Sequence, residues 1–433
     1  MADYYGKSYS SMARNRRRSA LGLLLDLVMG VVSLCVVVLF VATLFVPVLD
    51  PREWGEVSTL GLIAPFVYSA QAFITLYWIV RWRVGVAVIM VLVSLFGLFQ
   101  LPLFYKFETR RIYSEPNLRP RYDSRALKIM TYNVRSFIDD DGARCIDSLV
   151  AMLKVVNPDI LCLQEMGFSD IADSLLSPLN PMPKSLSRVN LSPAIYSRYP
   201  IIRAGRVDSL KNFVWADVVV KQSGKEDTLR VFNTHLHSTA IRRDDSDYIE
   251  HHEYLEDDSL QQMRSMISRL MENNRLRATQ VDTLAQMVAE SPYPAIVCGD
   301  FNDTPISYTY RTVARRMQDA FTKAGRGYSH TYRGFHDMLR IDYVLCSDEF
   351  EPLSYEVIDS WTLEQVARRQ RGVRDTVWRR AYGNGQEIPS FDAIVEAGEA
   401  YEGDRESYWI DNRVLYSDHY PVFVRLLYNG KTN

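Results

Sequence analysis

Three long apolar runs occupy the first quarter of this 433-residue chain and limit what it can fold into. They extend over residues 20–48, 60–80 and 84–105, and Asp26 is the one charged residue within them. A helix needs about 20 apolar residues to cross the hydrocarbon core of a bilayer. Each run meets that length, so the sequence predicts three transmembrane helices. A cleaved signal peptide would be shorter and would not be followed by two more such runs.

Basic residues predict how these helices are oriented. Four arginines lie between positions 14 and 18, whereas the loop at 49–59 is mainly acidic and Arg81 and Arg83 separate the second and third runs. The positive-inside rule therefore places the N-terminus and the second loop in the cytoplasm. Basic residues at 106–111 oppose this orientation. We expect an integral protein of the inner or plasma membrane, with everything after the third run outside the cytoplasm.

Composition shifts divide the chain into four parts. Residues 1–19 form a basic cytoplasmic tail and residues 20–105 the membrane domain. Residues 106–125 are charged and contain two prolines, which is typical of a tether. Residues 126–433 alternate short apolar strands with helical segments, so they predict one α/β domain, with an insertion at about 361–414 that has no clear period.

The charge balance bears on the partner of this domain. Of the 50 basic and 52 acidic residues, 14 and 8 lie in residues 1–126, which leaves 36 basic and 44 acidic residues, a net charge of −8. Proteins that hold nucleic acid through its backbone need a basic surface. Nucleic acid is therefore a possible but not a favoured partner, whereas a lipid bilayer is expected through the N-terminal helices. The five cysteines have no close-paired spacing and are interpreted as core residues.

A short buried strand at 295–299 delivers polar residues where it ends. Asp300 and Asn302 lie on the same side of an extended segment. A carboxylate can orient or deprotonate water, and an Asn side chain can donate to a phosphoryl oxygen, so the pair suits hydrolysis of a phosphate ester. Taken alone, the pattern favours a polar turn after a core strand. The chain contains further strand-like segments that end in polar residues, and together they favour a functional site over a simple polar turn.

Polar residues end or flank the other predicted strands as well. They are Asn133, Glu165, His235, Asp342, Asp418 and His419. His235 and His237 have i, i+2 spacing, so metal ligation and simple hydrogen bonding both remain open. We interpret one of the two histidines as a phosphate donor and the other as its support.

Together and in this order, these residues resemble the endonuclease/exonuclease/phosphatase superfamily, which has the deoxyribonuclease I-like fold. The resemblance covers residues 126 to the C-terminus without the insertions, and includes accessory segments at 197–201 and 331–334. It implies an α/β fold, a two-sheet α/β sandwich, with the site between strand ends. The expected architecture is therefore this sandwich preceded by three transmembrane helices.

The resemblance also implies a metal site and a phosphate site. Glu165 would hold a divalent cation, Mg²⁺ (or Mn²⁺), with Asn133 and Asp418 nearby, since oxygen ligands suit that ion. Asn302, His235 and Asn133 would bind the phosphoryl oxygens of a phosphate-ester substrate.

The remaining implied roles are catalytic. Asp300 would orient and activate the attacking water, with His235 beside it. Asp342 would fix the tautomer of His419, which assists at phosphorus or at the leaving group. Arg135 stands where some nuclease members have a second acid, so a second metal site is not expected. The resemblance assigns no role to His237, Arg333 or the insertion.

Three functions are compatible with this pattern. The favoured one is a membrane-tethered, Mg²⁺-dependent phosphoesterase that hydrolyses phosphodiester or phosphomonoester bonds of lipid headgroups or small molecules. The alternative is an extracytoplasmic, metal-dependent nuclease that acts on DNA or RNA. A non-catalytic binding module is disfavoured because every expected polar position is filled.

Overall fold

The computed structural model describes residues 20–107, 125–138, 145–146, 152–153, 156–166, 180–181, 193–207, 210–222, 225–239, 259–358 and 417–430. The predicted tail at 1–19, most of the tether at 106–125 and the insertion at 361–414 lie outside these residues. Apolar residues at 146, 149, 150, 153 and 156 have helical spacing in the sequence, and most of the helix that they predict also lies outside the described residues.

Two membrane-length helices begin the described chain. Helices α1 (Ala20–Phe45) and α2 (Gly55–Val80) have 26 residues each and are apolar and long enough to cross a bilayer. Helix α3 (Val84–Gly97) has 14 residues and is followed by the short helix α4 (Leu101–Phe104). A 14-residue helix is about 21 Å long, which is less than a hydrocarbon core of about 30 Å.

The structure thus shows two of the three predicted helices at membrane-spanning length, and it divides the third apolar run between α3 and α4. Pro102 lies in the first turn of α4. Proline is tolerated in the first turn of a helix, where backbone N–H groups have no partner within the helix. In the interior of a continuous helix it would remove a backbone hydrogen bond, so it favours a break before α4. Chain composition could predict the apolar run but not this break. Within residues 20–107 the structure therefore has two helices of membrane-spanning length.

The turn between α2 and α3 is fastened to α1 by charge. Arg81 Nη2 lies 2.8 Å from Asp26 Oδ1, and the Arg83 guanidinium pairs with the other oxygen of the same carboxylate. Trp78 Nε1 donates to Ser33 Oγ at 2.8 Å on the same side of the bundle. The charge of Asp26 is therefore compensated where the three helices meet.

The rest of the described chain is rich in strands. In chain order they are β1 (Tyr105–Lys106), β2 (Leu127–Asn133), β3 (Ile160–Gln164), β4 (Asn180–Pro181), β5 (Ala194–Ser197), β6 (Ile201–Val207), β7 (Leu210–Gln222), β8 (Lys225–His235), β9 (Ala295–Asp300), β10 (Gln318–Asp319), β11 (Gly327–Tyr328), β12 (Asp342–Cys346), β13 (Phe350–Val357) and β14 (Val422–Tyr428). The helices are α5 (Ser259–Ala289), α6 (Tyr308–Ala314), α7 (Ala320–Ala324) and α8 (Gly334–Asp337).

Two six-stranded sheets form a sandwich, which confirms the predicted α/β fold with two mixed sheets. Sheet I has the order β13-β14-β2-β3-β5-β4, and sheet II has the order β10-β12-β9-β8-β7-β6. Neighbouring strands are antiparallel, except for the parallel pairs β2–β3 and β8–β9. Apolar side chains of both inner faces pack together, as with Ile129 and Cys162 of sheet I against Val231 and Cys298 of sheet II. This core fixes the position of the strand ends.

Two sequence-based boundaries differ from the structure. The sequence has strand character over 194–201, but the structure divides this segment between β5 and β6, which belong to different sheets. The charge pattern of the sequence predicts a solvated helical excursion over 239–277 and a separate amphipathic helix over 278–288. In the structure, α5 is one continuous helix that includes residues of both segments. Asn274 and Arg277 are buried in this continuous helix.

Candidate active site

Strand register in sheet II brings three predicted site residues side by side. The parallel pairing of β8 with β9 sets His235 next to Asp300, and the antiparallel pairing of β9 with β12 sets Asp342 next to Asp300 on the other side. Partners in register on adjacent strands point to the same face of the sheet. A histidine and two carboxylates therefore lie side by side at one end of these three strands.

Backbone geometry at this end of the strands is specialised. Gly299 has φ +129°, and a Cβ added there would lie 2.0 Å from the Thr234 carbonyl oxygen, so the close approach of β8 to β9 requires glycine. Glu165 and Asn302 both have φ +52°, in the left-handed region that non-glycine residues seldom adopt. Such conformations persist where the surrounding structure holds them, and they concentrate at functional sites.

Sheet I contributes Asn133, at the end of β2, and Glu165, directly after β3. The side-chain nitrogen of Asn133 donates to Glu165 Oε1 at 3.0 Å and to Asp300 Oδ2 at 3.1 Å. One amide therefore joins the carboxylates of both sheets.

Asp300 is the centre of the cluster. It is 1% exposed, and Asn302 donates to it twice, from its backbone nitrogen to Oδ1 at 2.7 Å and from Nδ2 to Oδ2 at 3.0 Å. Burial raises the pKa of Asp300 to about 6, against the opposing charge of His419. A carboxylate with such a pKa is ionised at neutral pH and still basic enough to take a proton from water.

A carboxylate-supported imidazole flanks Asp300. His419 Nδ1 and Asp342 Oδ2 are 2.9 Å apart, and His419 Nε2 lies 3.7 Å from Asp300 Oδ2. Burial acts to lower the pKa of His419, but the charges of Asp342 and Asp300 outweigh it and raise the pKa to about 10. This histidine is therefore protonated at neutral pH, with Nδ1 occupied by Asp342 and Nε2 directed toward Asp300.

Glu165 lies on the more open side. His235 Nε2 is 3.3 Å from Glu165 Oε1 and 3.8 Å from Asp300 Oδ2. Burial acts to raise the pKa of Glu165, but the contact with the His235 ring and the Asn133 hydrogen bond lower it to about 2. The Glu165 side chain is 31% exposed. It therefore presents an ionised, solvent-accessible carboxylate.

The sequence of the core of the domain identifies its family. Residues 130–377 match the model of the Endonuclease/Exonuclease/phosphatase family. The chain belongs to this family. Its members are typically hydrolases of phosphoester bonds, and they generally use divalent metals. A second model, of a domain of unknown function, matches residues 26–104, and no curated protein matches the chain.

Solved structures of the family superpose on much of the chain. The family member from Bacteroides vulgatus is 17% identical, covers 70% of this chain and 98% of its own, and has a TM-score of 0.40. The mannosyl-6-phosphatase of Bacteroides thetaiotaomicron is 16% identical, with 69% and 99% covered and a TM-score of 0.41. TDP2 of D. rerio, complexed with a single-strand DNA product, is 12% identical, with 70% and 98% covered and a TM-score of 0.40.

The cluster offers two places for the divalent metal that the family generally uses. Asp300, Asp342 and His419 have ligand atoms within 4.8 Å of one another. All three are buried, and His419 already uses Nδ1 to contact Asp342. Glu165 instead combines ionisation with exposure, and such an oxygen ligand suits a hard cation that retains water molecules. The chemistry of Glu165 therefore fits this ion better than the buried cluster does.

Asp418 lies at the rim, next to His419. Its carboxylate oxygen Oδ1 accepts from Ser417 Oγ at 3.3 Å, and its backbone oxygen accepts from Arg333 N at 2.8 Å. Of the eight predicted site residues, the other seven are joined by the direct contacts above. Asp418 is adjacent to them through the chain.

His237 is separated from this cluster. Its backbone nitrogen donates to Gln280 Oε1 at 2.8 Å, and its carbonyl oxygen accepts from Arg277 Nη1 at 2.9 Å. Strand β8 ends at His235. The i, i+2 rule for a shared strand face therefore does not extend to His237, and its backbone is held by α5.

Some residues at the site were not assigned a role from the sequence. The Tyr332 ring lies 5.2 Å from the His419 ring, and burial with nearby acidic groups raises the pKa of Tyr332 to about 12. Behind the site, Gln164 Nε2 donates to Asn233 Oδ1 at 2.6 Å and so links the two sheets. The signal for Gln164 was its place at the end of β3, directly before Glu165, and the signal for Asn233 was its place near the end of β8, two residues before His235.

Proposed function

We propose that this protein is a membrane-tethered, metal-dependent phosphoesterase that hydrolyses a phosphodiester or phosphomonoester with a water molecule activated by Asp300. The observation that carries this proposal is the environment of the Asp300 carboxylate. Asn133 and Asn302 donate to it, while His235 and His419 lie within 4 Å of it. A buried base surrounded by donors suits attack on a phosphoryl centre.

Each residue has a distinct part in the proposed reaction. Asp300, ionised above about pH 6, orients the water and accepts its proton. His419, kept protonated by Asp342, stabilises negative charge at phosphorus or donates a proton to the leaving oxygen from Nε2. Asn302, His235 and Asn133 bind phosphoryl oxygens. Such positioning and charge stabilisation supply most of the catalysis of phosphoryl transfer.

A divalent cation, Mg²⁺ (or Mn²⁺), is part of the proposal. Glu165 would hold it, with Asn133 and Asp418 nearby. When bound, it would neutralise charge that develops on the phosphoryl oxygens. The ionised and exposed state of Glu165 supports this assignment.

We further propose that α1, α2 and the apolar stretch 84–105, which contains α3 and α4, each cross the membrane. With the basic tail at 1–19 in the cytoplasm, three crossings leave the catalytic domain, with its tether near 106–125 and its insertion at 361–414, outside the cytoplasm. The start of α2 contacts the domain directly: Arg52, which precedes the helix, pairs with Asp282 of α5 at 2.7 Å, and Ser58 of α2 accepts from Asn274 Nδ2 of α5 at 2.7 Å. A site held next to a bilayer favours lipid headgroups or other small phosphodiesters as substrates. The net acidic charge of residues 127–433 supports this preference over nucleic acid.

The test uses the full chain in nanodiscs with Mg²⁺. The substrate panel contains glycerophospholipids, sphingolipid-type headgroups, inositol phosphates, single-stranded and double-stranded DNA, and RNA. We expect phosphoester hydrolysis that a chelator abolishes and that Asp300→Asn slows by about 10² to 10⁴. Preferential hydrolysis of DNA or RNA would replace the lipid substrate with the nuclease alternative. Activity that survives the chelator and Asp300→Asn would overturn the proposal.

A further inference from the structure

Arg277 is a charged side chain in the interior of the catalytic domain. It lies on the buried face of α5 and is 1% exposed. Lysine and arginine are seldom buried without partners. The groups that Arg277 contacts therefore show which parts of the domain it holds together.

Those partners belong to two of the segments that carry the site, the chain after β8 and the chain after β9. Arg277 Nη1 donates to the carbonyl oxygen of His237 at 2.9 Å, two residues beyond His235. Arg277 Nε lies 3.5 Å from Asp303 Oδ2, and Asp303 directly follows Asn302. One guanidinium group thus contacts the exit of β8 and the exit of β9.

Asp303 links Arg277 to two further elements of the domain. Its Oδ2 accepts from Thr309 Oγ1 at 2.7 Å, and its backbone oxygen accepts from Tyr343 Oη at 2.8 Å. The Asp303 side chain is therefore anchored to α6, and its backbone to β12. The same two loops also meet through Asn302 Nδ2, which donates to the Leu236 carbonyl oxygen at 3.2 Å. Arg277 lies behind this junction.

We propose that Arg277 is a positioning residue, which holds the His235 loop and the Asp300–Asn302 loop at the separation that the reaction needs. This inference rests on the proposed function, because it concerns the geometry of the proposed base and phosphate donors. Asp300 and His235 are fixed to their strands by register, but Asn302 and the chain after His235 lie beyond the strand ends. Buried, directional contacts are what hold them.

Arginine suits this task better than lysine. Its guanidinium group is planar and presents several N–H donors at fixed angles, so it can contact the His237 oxygen and the Asp303 carboxylate at once. A lysine ammonium is a point charge on a flexible stem. A lysine at position 277 would therefore preserve the charge but not the simultaneous contacts.

Helix α2 supports the far side of this arrangement. Arg277 Nη2 is hydrogen-bonded to Asn274 Oδ1, and Asn274 Nδ2 donates to Ser58 Oγ of α2 at 2.7 Å. Thr304, next to Asp303, donates from Oγ1 to the Gly61 carbonyl oxygen at 3.0 Å. The first turns of α2 thus lie against the positioning residue and against the loop that it holds.

The experiment compares variants of the full chain in nanodiscs. Replacing Arg277 alone would leave Asp303 buried and unpaired, which can unfold a protein. The double variant Arg277→Met with Asp303→Asn removes both charges, and Arg277→Lys keeps the positive one. Arg275→Met is the matched control, since Arg275 is exposed on the same helix and pairs with Glu272 at 3.7 Å.

Steady-state kinetics on the best substrate of the panel provide the first readout. Misplacing reacting groups by about 1 Å can cost about 10²-fold in rate. We expect kcat to fall at least about tenfold in Arg277→Lys and in the double variant, with KM within about twofold and wild-type values in Arg275→Met. Wild-type kcat in the folded double variant would overturn the inference.

Hydrogen exchange measured by mass spectrometry provides a second readout that needs no substrate. Arg277→Lys and the double variant should both show faster amide exchange in residues 235–239 and 301–305 together, with unchanged exchange rates in sheet I. Arg275→Met should leave all of these rates unchanged. An inactive wild-type protein would remove the proposed function, whereas unchanged exchange in both loops would remove the role of Arg277. The two failures are therefore distinguishable.

Discussion

Sheets I and II each contribute a carboxylate to the site, and the pKa values of the two carboxylates are shifted in opposite directions. Asp300 of sheet II is buried and has its pKa raised to about 6, whereas Glu165 of sheet I is partly exposed and has its pKa lowered to about 2. A single Asn133 amide donates to both. Two neighbouring carboxylates whose environments separate their pKa values are suited to different tasks. We interpret Asp300 as the base that acts on water and Glu165 as the anionic ligand for a metal.

The largest effect is expected at Asp300. Asp300→Asn preserves volume but removes the basic oxygen, so kcat at saturating Mg²⁺ should fall by about 10² to 10⁴. KM should change little, because the loss concerns the transition state. Glu226→Gln is the control, since Glu226 pairs with Lys221 on the exposed hairpin of β7 and β8. Near-normal kcat in a folded Asp300→Asn protein would show that this carboxylate is structural.

Glu165→Gln should produce a different defect. The amide keeps the shape of the side chain but lacks the negative charge that a hard cation prefers. We expect the Mg²⁺ concentration for half-maximal activity to rise at least about tenfold, with part of the lost rate recovered at high Mg²⁺. Activity is measured as a function of Mg²⁺ for the variant and for Asp300→Asn. A loss in Glu165→Gln that no Mg²⁺ concentration relieves would remove the distinction between the two carboxylates.

The pH dependence of kcat/KM tests the sheet II groups. The proposed reaction needs Asp300 ionised and His419 protonated, so activity should rise as pH increases through about 6 and fall as pH increases through about 10. These values describe the interacting group rather than isolated residues. Asp342 raises the pKa of both partners. Asp342→Asn should therefore move both limbs of the profile to lower pH and reduce the maximum about tenfold. Limbs that stay in place would exclude this coupling.

The smallest effect is expected at Asn133, where the sheets meet. Asn133→Ala removes one donor from each carboxylate, and a hydrogen bond of about 1 kcal/mol corresponds to about fivefold in rate. Both the Mg²⁺ requirement and kcat should change, since the side chain contacts Glu165 and Asp300. A change confined to one of these quantities would mean that Asn133 serves one carboxylate alone. Kinetics at several Mg²⁺ concentrations separate these outcomes.

The family resemblance implied the two-sheet sandwich, and local sequence pattern predicted an α/β domain and which residues lie at strand ends. Apolar strand segments followed by polar residues indicate where a strand leaves the core, and those ends lie together in a sandwich. Asn133, Asp300 and Asp342 were therefore recognisable before their contacts were known. Strand register, which sets Asp342 beside Asp300, depends on long-range pairing and could not be obtained from local pattern.

Arg277 was missed because of where α5 was expected to begin. A helix predicted from residue 278 excluded Arg277 from the buried face that continues through Val281 and Leu284. Read as one helix, the spacing 277, 281, 284 follows an apolar face with a charge on it. A charged residue on the apolar face of a helix is unusual, so a correctly placed helix would have singled out Arg277. The break after α3 was missed for a related reason, since hydropathy does not reveal where a helix stops.

The division between the two carboxylates is tested most directly by metal binding without catalysis. Mn²⁺ binding to the full chain is measured by electron paramagnetic resonance for the wild type, Asp300→Asn and Glu165→Gln. We predict that Asp300→Asn binds Mn²⁺ with an affinity close to that of the wild type and that Glu165→Gln binds at least about tenfold more weakly. Lost binding in Asp300→Asn with unchanged binding in Glu165→Gln would contradict the account, because the metal would then belong to the buried cluster of Asp300, Asp342 and His419.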